Sequence, residues 1–384
     1  MRVSPQILSL FAVGLILRPQ IVGVGPLVPR IQAALGISHG VAGLLATIPV
    51  LCMGVFAPLA PPMLRRYGSR TAIGAALVGA GTFGVLRALA PGAPLVLLLT
   101  IPVGVGIAIA GTLVPVVVKD EYPDRPSLGT GVYVTGINVG ATAAAVAAAP
   151  LARAAGWRGT LVTYSLISLV LVVPWLVRRH PPAEPPERAP LPFGSRLAWV
   201  LIAAFALQSI LFYGFNAWIA DVYTERGWSD TSAGALVAIM NGVALVTGLA
   251  TALAADHVGT RRAFLGVASV TAVAGATLIA ADVPGAWAWA VLLGGAIGIN
   301  FTTVMTLPLD AGDTRAEVVA MTTVMLGVGY SLSALSPVVL GALRDATGSF
   351  TLPLALLAAD AAAMVVLTVR MPARFRRAPA SSAR

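Results

Sequence analysis

Arg18 is the residue with the clearest chemical potential, because it stands inside a long apolar stretch of the chain. A guanidinium near the centre of a membrane helix costs about 2.5 to 3.5 kcal/mol on insertion scales, so it almost always faces the protein interior or water. Arginine keeps its proton and offers a planar fork of donors, which suits a small anion or a carboxylate. Pro19 and Pro26 interrupt the same stretch and free backbone groups that need partners. Two hypotheses follow, an anion-binding site or a structural ion pair.

Other polar side chains stand singly in apolar stretches and form the remaining candidate binding residues. They are Tyr133, Asn138, Gln208, Tyr213, Asn216, Asn241, Asn300 and Tyr330. Tyr213 and Asn216 would share one face of a helix. Such side chains bind a polar solute in some membrane proteins and hydrogen-bond neighbouring helices to one another in others. Both interpretations stay open from the sequence.

Composition indicates which elements must position these residues. Of the 384 residues, 58% are hydrophobic and only 10% are charged, whereas a soluble globular chain carries about 25% charged residues. Apolar runs long enough to cross a membrane, about 20 residues each, recur along the whole chain. They lie near 5–27, 39–63, 71–89, 94–118, 128–152, 159–177, 197–220, 232–254, 263–282, 286–309, 317–343 and 350–370. The predicted fold is an all-α membrane protein of twelve transmembrane helices.

A charged, proline-rich segment divides these predicted helices into two sets of six. Such a composition does not form a helix. We therefore predict an N-terminal bundle at 1–177, a cytoplasmic linker at 178–196, a C-terminal bundle at 197–370 and a cytoplasmic tail at 371–384. Short motifs recur in both halves at nearly one spacing, as Gly68 and Gly259 illustrate. Parallel repeats of this kind place a substrate site at the midplane between the halves.

Loop charges predict the orientation, because cytoplasmic loops keep an excess of Lys and Arg. Most of the 25 Lys and Arg residues fall on one set of alternate loops together with both termini, while Arg87 counts among the minority on the other set. We therefore predict a multi-pass protein of the cell membrane, the cytoplasmic or inner membrane, with both termini in the cytoplasm.

Several functions are excluded by composition and spacing. The net charge of +10 is spread over short loops, so nucleic acid is not a predicted partner. The three His residues lie in different loops and Cys52 is the only cysteine, so neither a metal site nor a disulfide is predicted. We expect no enzymatic activity and no cofactor. The expected partners of this monomer are a small-molecule solute, a coupling proton as a candidate, and the lipid bilayer.

The chain also resembles a known family of membrane proteins. The segment ADHVGTRR at 255–262 looks like the cytoplasmic gating-loop motif of the major facilitator superfamily. Within it the chain resembles the cyanate and nitroimidazole transporter family. The matching stretches are LRP at 17–19, GPL at 25–27, VKDEYPDR at 118–125, GTGVY at 129–133, QS at 208–209, FY at 212–213, AW at 217–218, GVGY at 327–330 and DATGSF at 345–350.

The resemblance implies the major facilitator fold, two pseudo-symmetric six-helix bundles that alternate access to a central site. It implies that Gln208, Tyr213 and Tyr330 face the cavity, and that Asp256 and Arg261 act in a gate at the cytoplasmic face. Ordinary loop charge remains the alternative for those two gate residues. The chain departs from the family pattern at several positions, among them Gly111, where relatives tend to carry Asn.

Three functional hypotheses remain. Uptake of a small, cyanate-like anion by a secondary transporter leads. Proton-coupled efflux of a small heteroaromatic or toxic compound is the alternative that the same resemblance permits. A non-transporting membrane sensor is the hypothesis from another class, and flux measurements in vesicles separate the three.

Overall fold

The computed structural model describes residues 5–121, 126–178, 190–254, 261–312 and 314–371, which are helical almost throughout. The helices are α1 (Pro5–Leu17), α2 (Pro19–Val22), α3 (Val28–Leu35), α4 (His39–Val55), α5 (Ala60–Leu89), α6 (Ala93–Glu121), α7 (Pro126–Leu171), α8 (Val173–Val177), α9 (Arg196–Glu225), α10 (Asp230–Ala254), α11 (Arg261–Ala280), α12 (Ala286–Ala311), α13 (Arg315–Ser333), α14 (Leu335–Thr347) and α15 (Thr351–Arg370), with 3-10 turns at Gly25–Leu27 and Ala57–Leu59.

Ten helical stretches of the described chain are long and apolar enough to cross a membrane, and α4 is a shorter apolar helix. One stretch holds two crossings, because α7 contains 46 residues. At 1.5 Å per residue it would be about 69 Å long, more than twice the hydrocarbon core of ~30 Å. The backbone leaves the helical region at Gly156, where φ is 68°. Counted this way, the described helices agree with the twelve predicted crossings.

The second predicted crossing, at 39–63, ends earlier than expected. Helix α4 ends at Val55, and a 3-10 turn at Ala57–Leu59 leads directly into α5. Helix α5 then leaves the helical region at Gly68, where φ is 74°. Proline at position 58 cannot donate a backbone hydrogen bond, so the regular helix cannot continue through this turn.

The first crossing is broken beside Arg18. Helix α1 ends at Leu17, Arg18 is the N-cap of α2, and Pro19 is the first residue of α2. The turn at Gly25–Leu27 breaks the helix a second time. Because each proline removes a backbone donor, these are the interruptions that the sequence predicted.

The two ends of the bundle differ in their charged contacts. At one end Arg261 pairs with Asp310 and Trp175 donates to the carbonyl of Arg70; we call it the arginine-rich face. At the other end Arg30 pairs with Asp230, and His39 lies among carboxylates; we call it the histidine face.

The predicted linker and tail fall largely on residues 179–189 and 372–384, which lie outside the described residues.

The two halves touch closely at the histidine face. A Cβ atom on Gly43 of α4 would lie 2.6 Å from the carbonyl oxygen of Pro337 in α14. A Cβ atom on Gly341 of α14 would lie 2.4 Å from the carbonyl oxygen of His39. Glycine at both positions therefore lets the backbones of α4 and α14 approach.

Helices α1 and α7 pack in the same way within the first half. A Cβ atom on Gly136 would lie 2.4 Å from the carbonyl oxygen of Phe11. Gly131, on the same helix, is exposed and has no neighbouring atom within 4 Å of such a Cβ position.

We expect Gly136→Ala to destabilise the purified protein by about 1 to 3 kcal/mol, because overpacking forces the helix backbones apart. Thermal unfolding in detergent, followed by intrinsic fluorescence, measures the change. Gly131→Ala is the matched control and should melt with the wild type. Equal melting temperatures for all three proteins would contradict this account of α1 and α7.

Candidate functional site

Arg18 lies at the boundary between the two halves. The residue is only 9% exposed, and its Nη1 donates a hydrogen bond to the Tyr213 hydroxyl at 2.8 Å. Arg18 belongs to the broken first crossing, and Tyr213 belongs to α9 in the second half. The hydrogen bond therefore joins the halves through a buried cation.

Aromatic rings surround the guanidinium. Its Cζ atom lies 5.7 Å from the ring centre of Phe212 and 5.9 Å from that of Tyr213, both within cation–π range. Tyr330 lies beside Tyr213, with its ring centre 6.5 Å from that of Tyr213. Phe205 closes the group with a ring centre 4.8 Å from that of Tyr330. Tyrosine hydroxyls and rings thus form the immediate surroundings of this cation.

No carboxylate oxygen of the described residues lies within 4.0 Å of the Arg18 guanidinium. The hypothesis of a structural ion pair therefore has no partner in this part of the chain. A buried ion without a countercharge carries a desolvation cost of several kcal/mol, which hydrogen bonds and cation–π contacts offset in part. Electrostatically the site is complementary to a small anion.

Tyr133 and Gly111 shape the side of the site formed by the first half. Tyr133 is 7% exposed and interacts electrostatically with Arg18. A Cβ atom on Gly111 would lie 3.9 Å from the Tyr133 hydroxyl, with no closer neighbour. The glycine therefore leaves room for a side chain or a solute beside that hydroxyl.

Asn216 and Asn241 hydrogen-bond to each other. The Asn241 Nδ2 donates to Asn216 Oδ1 at 2.8 Å and to the Val237 carbonyl at 2.9 Å, and Asn216 Nδ2 donates to the Phe212 carbonyl at 2.9 Å. The pair joins α9 to α10 within the second half. Asn216 also lines a small cavity together with Tyr213, and this cavity extends towards the histidine face through Ala42.

Three further candidates are not hydrogen-bonded to Arg18. The Gln208 Oε1 accepts from the hydroxyl of Ser209 at 3.2 Å. The Asn300 Oδ1 is buried without a hydrogen-bond partner in the described part of the chain. Asn138 is half-buried on α7. Of the predicted binding residues, the structure thus groups Arg18 with the three tyrosines.

Of the two candidate gate residues, the described part of the chain includes Arg261. Asp256 lies outside the described residues. The Arg261 Nε lies 3.1 Å from Asp310 Oδ2, a contact that joins α11 to α12 within the second half. This ion pair fixes the arginine-rich end of the second half and does not itself cross to the first.

Arg87, which was counted with the loops of the outer side, lies in the last turn of α5 and not in a loop. Arg87 is 0% exposed, and its Nη2 donates to Gln20 Oε1 at 2.7 Å. The Gln20 Nε2 in turn donates to the Ser165 hydroxyl at 2.9 Å. All three residues of this network belong to the first half. Arg87 lies less than one turn before the end of α5, and its side chain is directed into the bundle. Its place within an apolar stretch was the available sequence signal.

The sequence profile of the Major Facilitator Superfamily matches residues 10–337. The chain belongs to the major facilitator superfamily. The uncharacterized transporter YycB of Bacillus subtilis (strain 168) is 30% identical over 89% of this chain and 87% of its own length. The 2-nitroimidazole transporter of Escherichia coli (strain K12) is 28% identical over 88% of both chains. The cyanate transport protein CynX of the same strain is 27% identical over 96% of this chain and 98% of its own.

Solved structures agree on the fold. The crystal structure of a D-xylose-proton symporter superposes with a TM-score of 0.77 at 14% identity and covers 96% of this chain and 97% of the other. The predicted major facilitator fold and the predicted resemblance to the cyanate and nitroimidazole transporters are confirmed. This member of the superfamily is a multi-pass membrane transporter of small solutes, and neither an enzyme nor a sensor.

We expect Tyr213→Phe to lower the free energy of unfolding by about 1 to 3 kcal/mol, because it leaves a buried charged donor without its acceptor. The melting temperature of the purified transporter measures this loss. Tyr67→Phe removes a hydroxyl from a residue that is 51% exposed and should change nothing. If Tyr213→Phe melts like the wild type, the hydrogen bond to Arg18 does not stabilise this conformation.

Proposed function

We propose that this transporter moves a small monoanion, with cyanate as the leading candidate, by alternating access through a site centred on Arg18. The observation that carries the proposal is the buried guanidinium at the boundary of the halves, which faces neutral hydroxyls and rings and no described carboxylate within 4.0 Å. A bound anion supplies the missing countercharge. Similarity to the cyanate transport protein CynX supports this substrate class.

The surroundings of Arg18 favour a small solute. The fork of the guanidinium can donate to an anion from one side, and the hydroxyls of Tyr213 and Tyr330 can donate from another. The rings of Phe212 and Tyr330 limit the space, while Gly111 leaves it open beside Tyr133. A rod-shaped or planar anion of a few atoms satisfies both conditions.

Uptake of a monoanion needs an energy source. Moving one negative charge inward against an inside-negative potential costs about 2.3 kcal/mol per 100 mV. A coupled proton cancels that charge, so anion uptake by this transporter would be electroneutral with one proton per anion.

The orientation that we propose follows the loop charges. The arginine-rich face and both termini are on the cytoplasmic side of the membrane, and the histidine face is on the outer side. The pair of Arg261 and Asp310 then stands at the cytoplasmic gate, and Asp256 precedes Arg261 by five positions in the sequence. We propose a monomer, because each chain contains both halves of the central site.

Proton-coupled efflux of a small heteroaromatic is the second candidate function. The observation in its favour is the set of rings beside Arg18, since Phe212, Tyr213 and Tyr330 could stack on a planar solute. Similarity to the 2-nitroimidazole transporter supports it as well.

Ligand-induced thermal stabilisation separates the two candidates. We expect cyanate or another small anion to raise the melting temperature of the wild type, and Arg18→Ala to abolish the shift because the countercharge is lost. Arg153→Gln is the matched control: it also removes one positive charge, but from an exposed side chain that contacts Thr231. The control should keep the full shift.

Flux in proteoliposomes then tests movement. We expect Arg18→Ala to insert and fold but to accumulate no labelled cyanate, while Arg153→Gln transports normally. Stabilisation by neutral heteroaromatics alone, equal in wild type and Arg18→Ala, would reject anion transport and favour efflux. Normal cyanate flux by the well-folded Arg18→Ala protein would also reject the Arg18 site.

A further inference from the structure

His39 of the first half lies among three carboxylates of the second half at the histidine face. Its Nδ1 lies 2.9 Å from Asp345 Oδ1, and its Nε2 lies 3.2 Å from Asp221 Oδ2 and 3.6 Å from Glu225 Oε1. Asp221 and Glu225 are on α9, and Asp345 is on α14. Each of these contacts crosses the boundary between the halves.

The backbone strengthens the same connection. The N–H groups of His39 and Gly40 donate to the two carboxylate oxygens of Asp345 at 2.9 and 2.7 Å. These groups belong to the first turn of α4, whose N–H groups have no partner within the helix. One half thus caps a helix of the other, with the imidazole at the centre of the contact.

The buried carboxylate of Asp221 favours a doubly protonated His39 imidazole. Asp221 is 4% exposed, and its Oδ2 is buried with no hydrogen-bond partner among the described residues. The nearest cationic group is the His39 Nε2. A neutral imidazole has one N–H. If Nδ1 carries that proton and donates it to Asp345, the lone pair of Nε2 faces the Asp221 carboxylate. An imidazolium is positively charged and lies 3.2 Å from Asp221 Oδ2 through its Nε2, so it supplies the countercharge of that buried carboxylate.

The other charged side chains near the His39 ring do not remove this preference for a protonated imidazole. Arg344 on α14 donates from Nε and Nη2 to Glu225 Oε1 at 2.8 and 2.6 Å. Arg30 on α3 is paired with Asp230 instead. Of the described elements packed against α4 at this face, three carboxylates and one arginine face His39, so the imidazolium is electrostatically favoured.

We propose that His39 is a proton-binding latch that holds the histidine face closed while its imidazole is protonated. Loss of the Nε2 proton to the solution at that face leaves a lone pair opposite Asp221 and Glu225, and the halves separate there. The latch rests on the alternating access of the proposed function. It goes beyond that function by naming a proton as the ligand that controls the gate at the histidine face. Because His39 loses its proton as pH rises, the latch is closed at lower pH and open at higher pH.

Distances between spin labels across the histidine face test the latch without any substrate. Cys52→Ser removes the only cysteine, and Ala34→Cys on α3 with Ala346→Cys on α14 places one label on each half at exposed positions. The distances are measured by pulsed electron–electron double resonance on the full chain in lipid nanodiscs. Measurements from about pH 5.5 to about pH 9 cover the usual titration range of histidine. We expect one short distance at low pH and a several-fold larger long-distance population at high pH.

Matched variants identify the group that titrates. His39→Gln should show the long-distance population at every pH, and Asp221→Asn should keep the transition but move it to lower pH, because one carboxylate that favours the imidazolium is gone. Arg30→Gln is the control: it removes another contact between the halves at the same face and should leave the pH response of the distance in place.

Three results would overturn the latch. The first is a distance that does not respond to pH while His39 is present. The second is a pH response that survives in His39→Gln. The third is a short distance that requires Zn²⁺ and is lost with a chelator at constant pH, which would make the cluster a metal site. A pH-dependent opening in a protein that moves no anion would support the latch and reject the proposed substrate.

Discussion

The hydrogen bond between Arg18 and Tyr213 places a permanent positive charge where the two halves of the transporter meet. The rest of the central region can be understood from the cost of that charge in a low-dielectric interior. The first crossing breaks beside it at Pro19, and neutral hydroxyls and aromatic rings face it. A carboxylate in contact would have neutralised the guanidinium permanently, whereas hydroxyls and rings stabilise it and still leave it available to an anion.

Most acidic residues of the described chain lie towards the two faces instead, and the exception is Asp360 in the middle of α15, whose Oδ2 is buried. At the histidine face, Asp221 and Asp345 surround an imidazole whose charge depends on pH. At the arginine-rich face, Asp310 pairs with Arg261. The centre thus has a fixed positive charge with no acid in contact, whereas the histidine face has acids around a titratable base. These opposite arrangements fit the anion binding and the proton sensing that we propose.

Polar side chains within apolar helices serve two different purposes in this transporter. The amides of Asn216 and Asn241 satisfy each other and hold α9 against α10, and Gln20 satisfies part of the buried Arg87 in the first half. Tyr213 and Phe212 instead contact a cation of the opposite half. In the alternating access that we propose, partners within one half move together and stabilise a bundle, while partners across the boundary can respond to a ligand.

The sequence by itself determined the number of crossings, the breaks at Pro19 and Pro26 and the inward position of Arg18, because each depends on local chemistry: apolar length, missing backbone donors and the cost of a charge in lipid. Only the tertiary structure decided which polar residues meet. Asn216 and Tyr213 share a helix face, yet one binds an amide of its own half and the other binds Arg18. Phe212 and His39 were not among the predicted site residues, since their contacts are with distant segments that no local pattern encodes.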